Sequence, residues 1–80
     1  MKLIYTGDFE RLKDFGFEYN EVDCDEFTYK YYAYKPRYAI EVIQIDITSR
    51  IIYLCDNDKN EGLIKIYDLI QAGLIKKEDE

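Results

Sequence analysis

Five carboxylates crowd one short segment of the sequence, residues 18–26, which contains no base. They are Glu18, Glu21, Asp23, Asp25 and Glu26. A row of carboxylates can imitate a nucleic-acid backbone, because the lysines and arginines of a nucleic-acid-binding protein respond to the spacing of negative charge. Runs of like charge are more commonly solvated loops, and contact with a metal ion or a basic peptide is a further alternative. The segment is the first candidate contact surface.

A second group of side chains combines tyrosine with positive charge. Residues 30–38 contain four tyrosines, three bases and no acid. Tyrosines interleaved with bases can stack on nucleobases and neutralise phosphates, and tyrosine beside arginine is also typical of protein–protein hot spots. A sheet face that simply favours tyrosine gives the same pattern. The candidate contact residues in this group are Tyr32, Tyr34, Arg37 and Tyr38.

Strand geometry limits how many of these tyrosines can face solvent. Successive side chains of a strand point to opposite faces, so only one pair, either Tyr29 and Tyr31 or Tyr32 and Tyr34, can be exposed. The chain as a whole has a net charge of −6, from 17 acids and 11 bases, and this charge repels a polyanion at long range. Direct nucleic-acid binding is therefore the weaker alternative, and contact with another protein is the stronger one.

Catalysis and metal binding have little support in the sequence. It contains no histidine, and Cys24 has acidic neighbours, whereas a reactive thiolate needs a basic or cationic one. Residues 56–60 (Asp-Asn-Asp-Lys-Asn) begin like a calcium-binding loop, but Glu61 stands where that loop needs glycine and Tyr67 where it needs a bidentate glutamate. We predict no catalytic, cofactor or metal site, and a protein that is not an enzyme.

Length and hydropathy suggest a single domain over residues 1–80 in the cytoplasm. The longest apolar run, 51–55, is too short to cross a bilayer, which needs about 20 residues. Gly7 and Asp8 interrupt the N-terminal segment before the apolar region of a signal peptide can form. Cys24 and Cys55 are far apart in the sequence, so we expect reduced thiols rather than a disulfide.

Apolar periodicity predicts an α+β fold in which a helix, an antiparallel β-meander and a second helix follow one another. Apolar residues at three-residue steps within 8–15 indicate a short first helix, which Thr6 or Asp8 can cap. Gly16 can end this helix in a left-handed conformation. The second helix is expected to pack on one face of the sheet.

Alternating polar and apolar residues predict three strands, over 27–34, 38–48 and 51–55. A fourth strand can come from 17–20 or from 2–5. Within 38–48 the isoleucines at odd positions alternate with polar residues, yet Ile40 and Val42 have the opposite phase. Either the start of this strand is covered on both faces, or a bulge after Val42 resets the phase.

The second helix is predicted to begin near Asp58, which forms a pair of the capping-box type with Glu61, and to end at Gly73. Its predicted buried face consists of Leu63, Ile66, Tyr67, Ile70 and Leu74, widened by Ile64 and Leu69. Residues 75–80 are predicted to be a frayed, solvated tail.

The order of these elements resembles a family of small proteins encoded by phages and prophages of Gram-positive bacteria. The resemblance extends over most of the chain, and the residues that carry it are Phe9, Leu12, 15–17 (Phe-Gly-Phe), 49–54 (Ser-Arg-Ile-Ile-Tyr-Leu) and 67–74 (Tyr-Asp-Leu-Ile-Gln-Ala-Gly-Leu). These are caps, turns and core positions, so no catalytic residue is carried over. The resemblance implies a mobile-element setting, in which small acidic proteins, anti-CRISPR proteins among them, often block host machinery.

The leading hypothesis is an inhibitor that binds a host defence or nucleic-acid-processing protein, through nucleic-acid mimicry by the acidic segment. The expected partner is a host protein with a basic nucleic-acid-binding surface, in the host cytosol. One alternative is a direct single-stranded nucleic-acid binder that uses the tyrosine-rich strand. Another is a self-associating prophage component, and a homodimer is compatible with either protein-binding hypothesis.

Overall fold

A computed structural model describes residues 2–36, 40–55 and 59–78. Its elements in chain order are β1 (Lys2–Tyr5), a 3₁₀ helix (Phe9–Phe15), β2 (Phe17–Asp23), β3 (Thr28–Tyr34), β4 (Ile43–Asp46), β5 (Ile52–Leu54), α1 (Lys59–Gln71) and β6 (Ile75–Glu78). The predicted α+β class, with an antiparallel meander followed by a C-terminal helix, is confirmed.

The main sheet has four strands in the order β2-β3-β4-β5, and each neighbouring pair is antiparallel. The fourth strand of the predicted meander is therefore β2, which extends to Asp23 rather than ending at residue 20. Phe17 pairs with Tyr34 and Asp23 with Thr28. The longest pairing in the sheet thus joins the acidic segment directly to the tyrosine-rich strand.

The first helix forms where periodicity predicts it, but with 3₁₀ geometry. Its apolar residues recur at exactly three-residue steps, which matches the three residues per turn of a 3₁₀ helix. Asp8, not Thr6, is the cap: its carboxylate accepts a hydrogen bond from the Glu10 N–H at 3.1 Å. Gly16 ends the helix with φ of 88°, a conformation that glycine adopts without steric cost.

The phase change in the predicted strand 38–48 is explained by local strand geometry. β4 proper is only Ile43–Asp46, and Ile43 pairs with Tyr34. The N–H of the preceding residue, Val42, also donates to the Tyr34 carbonyl at 2.8 Å. Two successive residues thus lie opposite one, as in a β-bulge, and both Val42 and Ile43 are buried. Residues 37–39 of the predicted strand lie outside the described residues.

The prediction of a frayed tail over 75–80 is wrong for residues 75–78. They form β6, which pairs with β1 in a separate two-stranded sheet from Tyr5↔Ile75 to Lys2↔Glu78. A backbone bridge between Ile4 and Ile51 connects β1 to the start of β5. Strand β6 is short and mostly charged, and the strand that it pairs with lies at the other end of the sequence. No local pattern in the sequence therefore indicates it. Residues 79 and 80 lie outside the described residues.

Helix α1 buries a narrower face than predicted. Ile66 and Leu69 are buried, and Gly62 lies against Leu54 and Val42 of the sheet. Four apolar residues counted in the predicted buried face are instead exposed: Leu63, Ile64, Tyr67 and Ile70. The predicted cap at Asp58 lies outside the described residues.

The predicted end of α1 at Gly73 is confirmed, with φ of 74°. The Leu74 N–H donates to the Leu69 carbonyl and the Gly73 N–H to the Ile70 carbonyl, each at 3.0 Å. This is the Schellman arrangement, in which the residue after the glycine folds back onto the last turn. Leu74 is accordingly buried with Leu69.

The core lies between one face of the main sheet and the two helices. It consists of Phe17, Tyr32, Ile43, Ile45 and Ile52 from the main sheet, together with Tyr5, Leu12, Val42, Ile66, Leu69 and Leu74. Packing of α1 on one sheet face is therefore confirmed. Neither helix of the described residues has the length and hydropathy of a membrane-spanning segment.

Candidate protein-binding surface

The acidic segment runs along β2 and into the turn of the β2–β3 hairpin. We call this hairpin, residues 17–34, the acidic arm. Its tip, residues 21–28, is exposed at every position. The Cys24 N–H donates to the Phe27 carbonyl at 2.8 Å, which continues the strand pairing up to the turn at Asp25 and Glu26. The base of the arm is packed in the core, whereas the tip extends beyond it.

The structure brings all five candidate carboxylates onto this arm, accompanied by one base, Lys30, opposite Glu21. Two of the acids are held by neighbouring hydroxyls. Tyr19 donates to Glu21 Oε1 at 2.8 Å, and Thr28 donates to Asp23 Oδ1 at 3.1 Å. These two hydrogen bonds give both carboxylates a defined orientation at the tip.

The five acids do not share one face. Glu21 and Asp23 point to the same side of the sheet as the core, whereas Glu18 points to the opposite side by strand alternation. Asp25 and Glu26 lie at the turn. Within the tip, negative charge therefore lies on the core side and at the turn, while Glu18 lies nearer the base on the opposite side.

The side of the tip opposite Glu21 and Asp23 is apolar, which sequence reasoning missed. Val22 pairs with Tyr29 and Cys24 lies opposite Phe27, so these four side chains share a face. Phe27 is 63% exposed and Val22 is 46% exposed. Both apolar residues stand among the acids in the sequence, but they share a face only through the register of the hairpin, in which Val22 pairs with Tyr29 and Cys24 lies opposite Phe27. This register cannot be read from the sequence without knowing where the turn lies.

The tyrosine positions correct the expected contact surface. Tyr32 is only 7% exposed, because it lies on the core side of β3 with its ring stacked on Phe9 at 5.6 Å. Tyr34 is half-buried: its ring lies 5.5 Å from Phe17, and the Lys65 ammonium sits 4.7 Å from its centroid. As a candidate contact residue, Tyr32 is therefore inaccessible to a partner, and Tyr34 is only partly accessible. Arg37 and Tyr38 lie outside the described residues.

The side chains of β3 that point away from the core, Tyr29 and Tyr31 among them, lie beside a polar network centred on Glu41. The Glu41 carboxylate accepts hydrogen bonds from Tyr31 at 2.8 Å, Asn20 at 3.1 Å and Gln44 at 2.7 Å. Tyr31 also stacks on Tyr29 at 4.9 Å and is only 6% exposed. The network joins β2, β3 and β4 on the face that the helices do not cover.

Burial and the Glu41 hydrogen bond together raise the pKa of the Tyr31 hydroxyl to about 12, burial being the larger cause. Both favour the neutral phenol, since a phenolate beside a carboxylate would be repelled in a partly desolvated site. Burial also raises the pKa of Tyr29. Tyr31 therefore acts as a hydrogen-bond donor that ties β3 to Glu41.

Metal binding and cysteine chemistry were the remaining possibilities to compare with the structure. Among the described residues, no three Cys, Asp or Glu side chains are placed to hold a metal ion. Cys24 is exposed and Cys55 is partly buried, and both are thiols. Most of the loop that begins like a calcium site, residues 56–58, lies outside the described residues.

Comparisons of this chain with protein-family models, with curated proteins and with solved structures found no match.

Proposed function

We propose that this protein is a non-enzymatic binding protein that docks the tip of its acidic arm onto a basic surface of another protein. The observation that carries the proposal is the exposure of every residue from 21 to 28. Four carboxylates at the tip and Glu18 beside it supply long-range attraction to a basic surface. Phe27 and Val22 supply the apolar contact area that such attraction alone lacks.

The partner chemistry that fits this surface best is the nucleic-acid-binding surface of a host protein. Such surfaces present arrays of lysine and arginine, and an acidic arm seated on them would exclude the nucleic acid by competition. The sequence resemblance to phage and prophage proteins favours a host defence or nucleic-acid-processing enzyme as the target. In this proposal the protein acts in the host cytosol as an inhibitor, in the manner of an anti-CRISPR protein.

Direct binding of single-stranded nucleic acid is less well supported. That function needs exposed aromatic rings next to positive charge, but Tyr32 is in the core and Tyr34 packs against Phe17. The rings on the opposite face, Tyr29 and Tyr31, lie beside the Glu41 carboxylate. A negative charge at that position repels phosphates.

Competitive capture from a host lysate tests the proposal. The wild-type protein is immobilised beside an arm variant, Glu21→Lys/Asp23→Lys/Asp25→Lys, and a matched variant, Asp14→Lys/Asp68→Lys/Glu78→Lys. Both variants change the net charge by the same amount at exposed positions. Retained proteins are then eluted with a mixed-sequence oligonucleotide.

We expect the wild-type and matched-variant columns to retain the same protein, the oligonucleotide to release it, and the arm variant to lose it. Equal retention by all three columns would rule out the arm as the contact surface. Retention that the oligonucleotide does not affect would leave a protein-binding function but would contradict competition with nucleic acid.

Self-association is a second candidate, because α1 leaves an apolar stripe uncovered. Leu63, Tyr67 and Ile70 follow one another at helical spacing and are 55%, 60% and 48% exposed. A second copy of the chain could cover this stripe. Light scattering over a range of concentrations tests the candidate, and a monomer at high micromolar concentration would contradict it.

A further inference from the structure

The outer edge of β2 has backbone groups that no strand within the described residues pairs with. In an antiparallel pair, alternate residues exchange both backbone hydrogen bonds with the partner strand. The Cys24 N–H donates to the Phe27 carbonyl, so Cys24 and Phe27 form a hydrogen-bonded pair. Counting back along β2 in steps of two, residues 22, 20 and 18 are also hydrogen-bonded to β3. The N–H and C=O groups of Tyr19, Glu21 and Asp23 therefore point outward.

The two edges of the main sheet are not equivalent. β5 has three residues, and β1 covers its start through the bridge between Ile4 and Ile51 and the hydrogen bond from the Tyr5 N–H to the Arg50 carbonyl at 2.8 Å. β2 has seven residues at the other end of the strand order. Among the described residues, no strand pairs with its outer side.

We propose that the outer edge of β2 accepts an extended basic segment of the partner protein as an additional antiparallel strand. The inference rests on the proposed function and specifies how the partner engages the arm. Strand addition derives affinity from backbone hydrogen bonds and selectivity from alternate side chains. Glu21 and Asp23 select lysine or arginine on one face of the added strand, while Val22 favours an apolar residue on the other.

A second copy of the chain is a poorer occupant of this edge. Pairing β2 with itself would bring together two arms that each contain five carboxylates and one base. Like charges on adjacent strands are destabilising, and charge on an edge strand is a common protection against self-pairing. The same acids therefore oppose self-association and attract a basic segment.

A synthetic peptide tests the edge directly. The probe is an end-capped heptapeptide that alternates lysine and valine, beginning and ending with lysine. In antiparallel addition the lysines lie opposite Glu21 and Asp23, so their amide groups make the hydrogen bonds to β2. One control peptide carries N-methyl groups on the internal lysine amides and the other on the valine amides.

We expect methylation of the lysine amides to weaken binding at least about tenfold, since each lost hydrogen bond to the edge costs a severalfold loss of affinity. Methylation of the valine amides should change affinity less than about threefold, because those groups face away from β2. Amide hydrogen exchange at Tyr19, Glu21 and Asp23 should slow when the unmodified peptide binds. Equal binding of all three peptides, or no protection of these amides, would overturn strand addition.

Two protein variants distinguish the contribution of charge to peptide binding from that of backbone hydrogen bonds. Glu21→Gln removes the carboxylate, whereas Glu21→Pro also removes an outward N–H that the sheet does not use, and edge strands tolerate proline at such positions. We expect Glu21→Pro to bind the peptide about tenfold more weakly than Glu21→Gln. Equal losses would leave the electrostatic docking of the proposed function intact and refute the edge. If Glu21→Pro does not fold, the methylated peptides alone decide.

Absence of peptide binding to the wild-type protein at millimolar concentration would also refute strand addition. The lysate capture is unaffected by that outcome, because it depends only on the charge of the tip. The two experiments can therefore fail separately.

Discussion

The base and the tip of the acidic arm belong to the same two strands, yet they differ in burial, packing and charge. At the base, Phe17 and Tyr32 are buried against the core and the 3₁₀ helix. At the tip, every side chain from residue 21 to residue 28 is exposed. Packing at the base therefore supports the hairpin, and the tip can hold a dense group of like charges at little cost to the fold. The separation allows the tip to vary for recognition without loss of stability.

Truncation of a phenylalanine at each end of the arm should give the largest contrast. Phe17→Ala is expected to reduce the free energy of unfolding by about 3–5 kcal/mol, because it leaves a cavity in the core. Phe27→Ala should change stability by less than about 0.5 kcal/mol, since its ring is exposed. Urea denaturation followed by circular dichroism measures both. Similar losses for the two variants would show that the tip is also part of the folding core.

Tyr31 lies between the base and the tip of the arm, and Tyr31→Phe should have an intermediate effect on the free energy of unfolding. The substitution keeps the buried ring but removes the hydroxyl that donates to Glu41 at 2.8 Å. Hydrogen bonds to charged groups contribute about 1.5–3 kcal/mol, and Glu41 keeps its bonds from Asn20 and Gln44. We therefore expect a loss of about 1–2 kcal/mol in the same denaturation experiment. A neutral result would show that water replaces the phenol at no cost.

The raised pKa of Tyr31 should make the free energy of unfolding depend on pH above pH 10. Its pKa is about 12 in the folded protein against 10.0 for an ordinary tyrosine, so the folded state holds this proton more tightly than the unfolded chain. The contribution is complete below pH 10 and is lost as the pH rises from 10 to 12. The stability difference between the wild type and Tyr31→Phe should therefore narrow from pH 8 to pH 11.

A control for this pH profile is Leu63→Ala, which replaces an exposed side chain of α1 that does not titrate. Its stability difference from the wild type should stay constant over the same range. If the Tyr31→Phe difference is equally constant, the burial and the carboxylate that surround Tyr31 do not act on its titration as inferred.

The smallest effect on stability is expected at the tip itself. Glu21→Lys/Asp23→Lys/Asp25→Lys should shift the free energy of unfolding by less than about 0.5 kcal/mol, because exposed substitutions away from packed contacts rarely do more. This is the variant that should abolish partner capture. A large loss of stability would mean that the hydrogen bonds to Glu21 and Asp23 are part of what holds the hairpin together.

Local patterns in the sequence predicted most of the main architecture. The three-residue spacing within 8–15 located the first helix, alternation located the meander, and Gly73 located the end of α1. The pairing of β1 with β6 was missed because it joins distant segments and depends on tertiary proximity rather than on local periodicity. The buried face of α1 was misassigned because its apolar residues extend around most of the helix, so periodicity alone does not select a side.

The candidate surface was predictable in composition but not in orientation. The five acids were identified from the sequence, and their gathering on one hairpin required only the pairing of β2 with β3. Alternation left two options for the tyrosines, and neither pair is exposed, because Tyr32 packs on Phe9 and Tyr31 is buried beside Glu41. The Glu41 network could not be anticipated, since it depends on how the segment after residue 39 returns to β3.

The pairing of β1 with β6 has a consequence for the order of folding. It joins residues 2–5 to residues 75–78, so almost the whole chain must be closed into a loop before it can form, and loop closure costs more entropy as the loop lengthens. The β2–β3 hairpin, whose contacts are local, can form early. The small sheet should accordingly form last and open first, in fluctuations that leave the acidic arm intact. The surface proposed for recognition would then be available before the chain has fully folded.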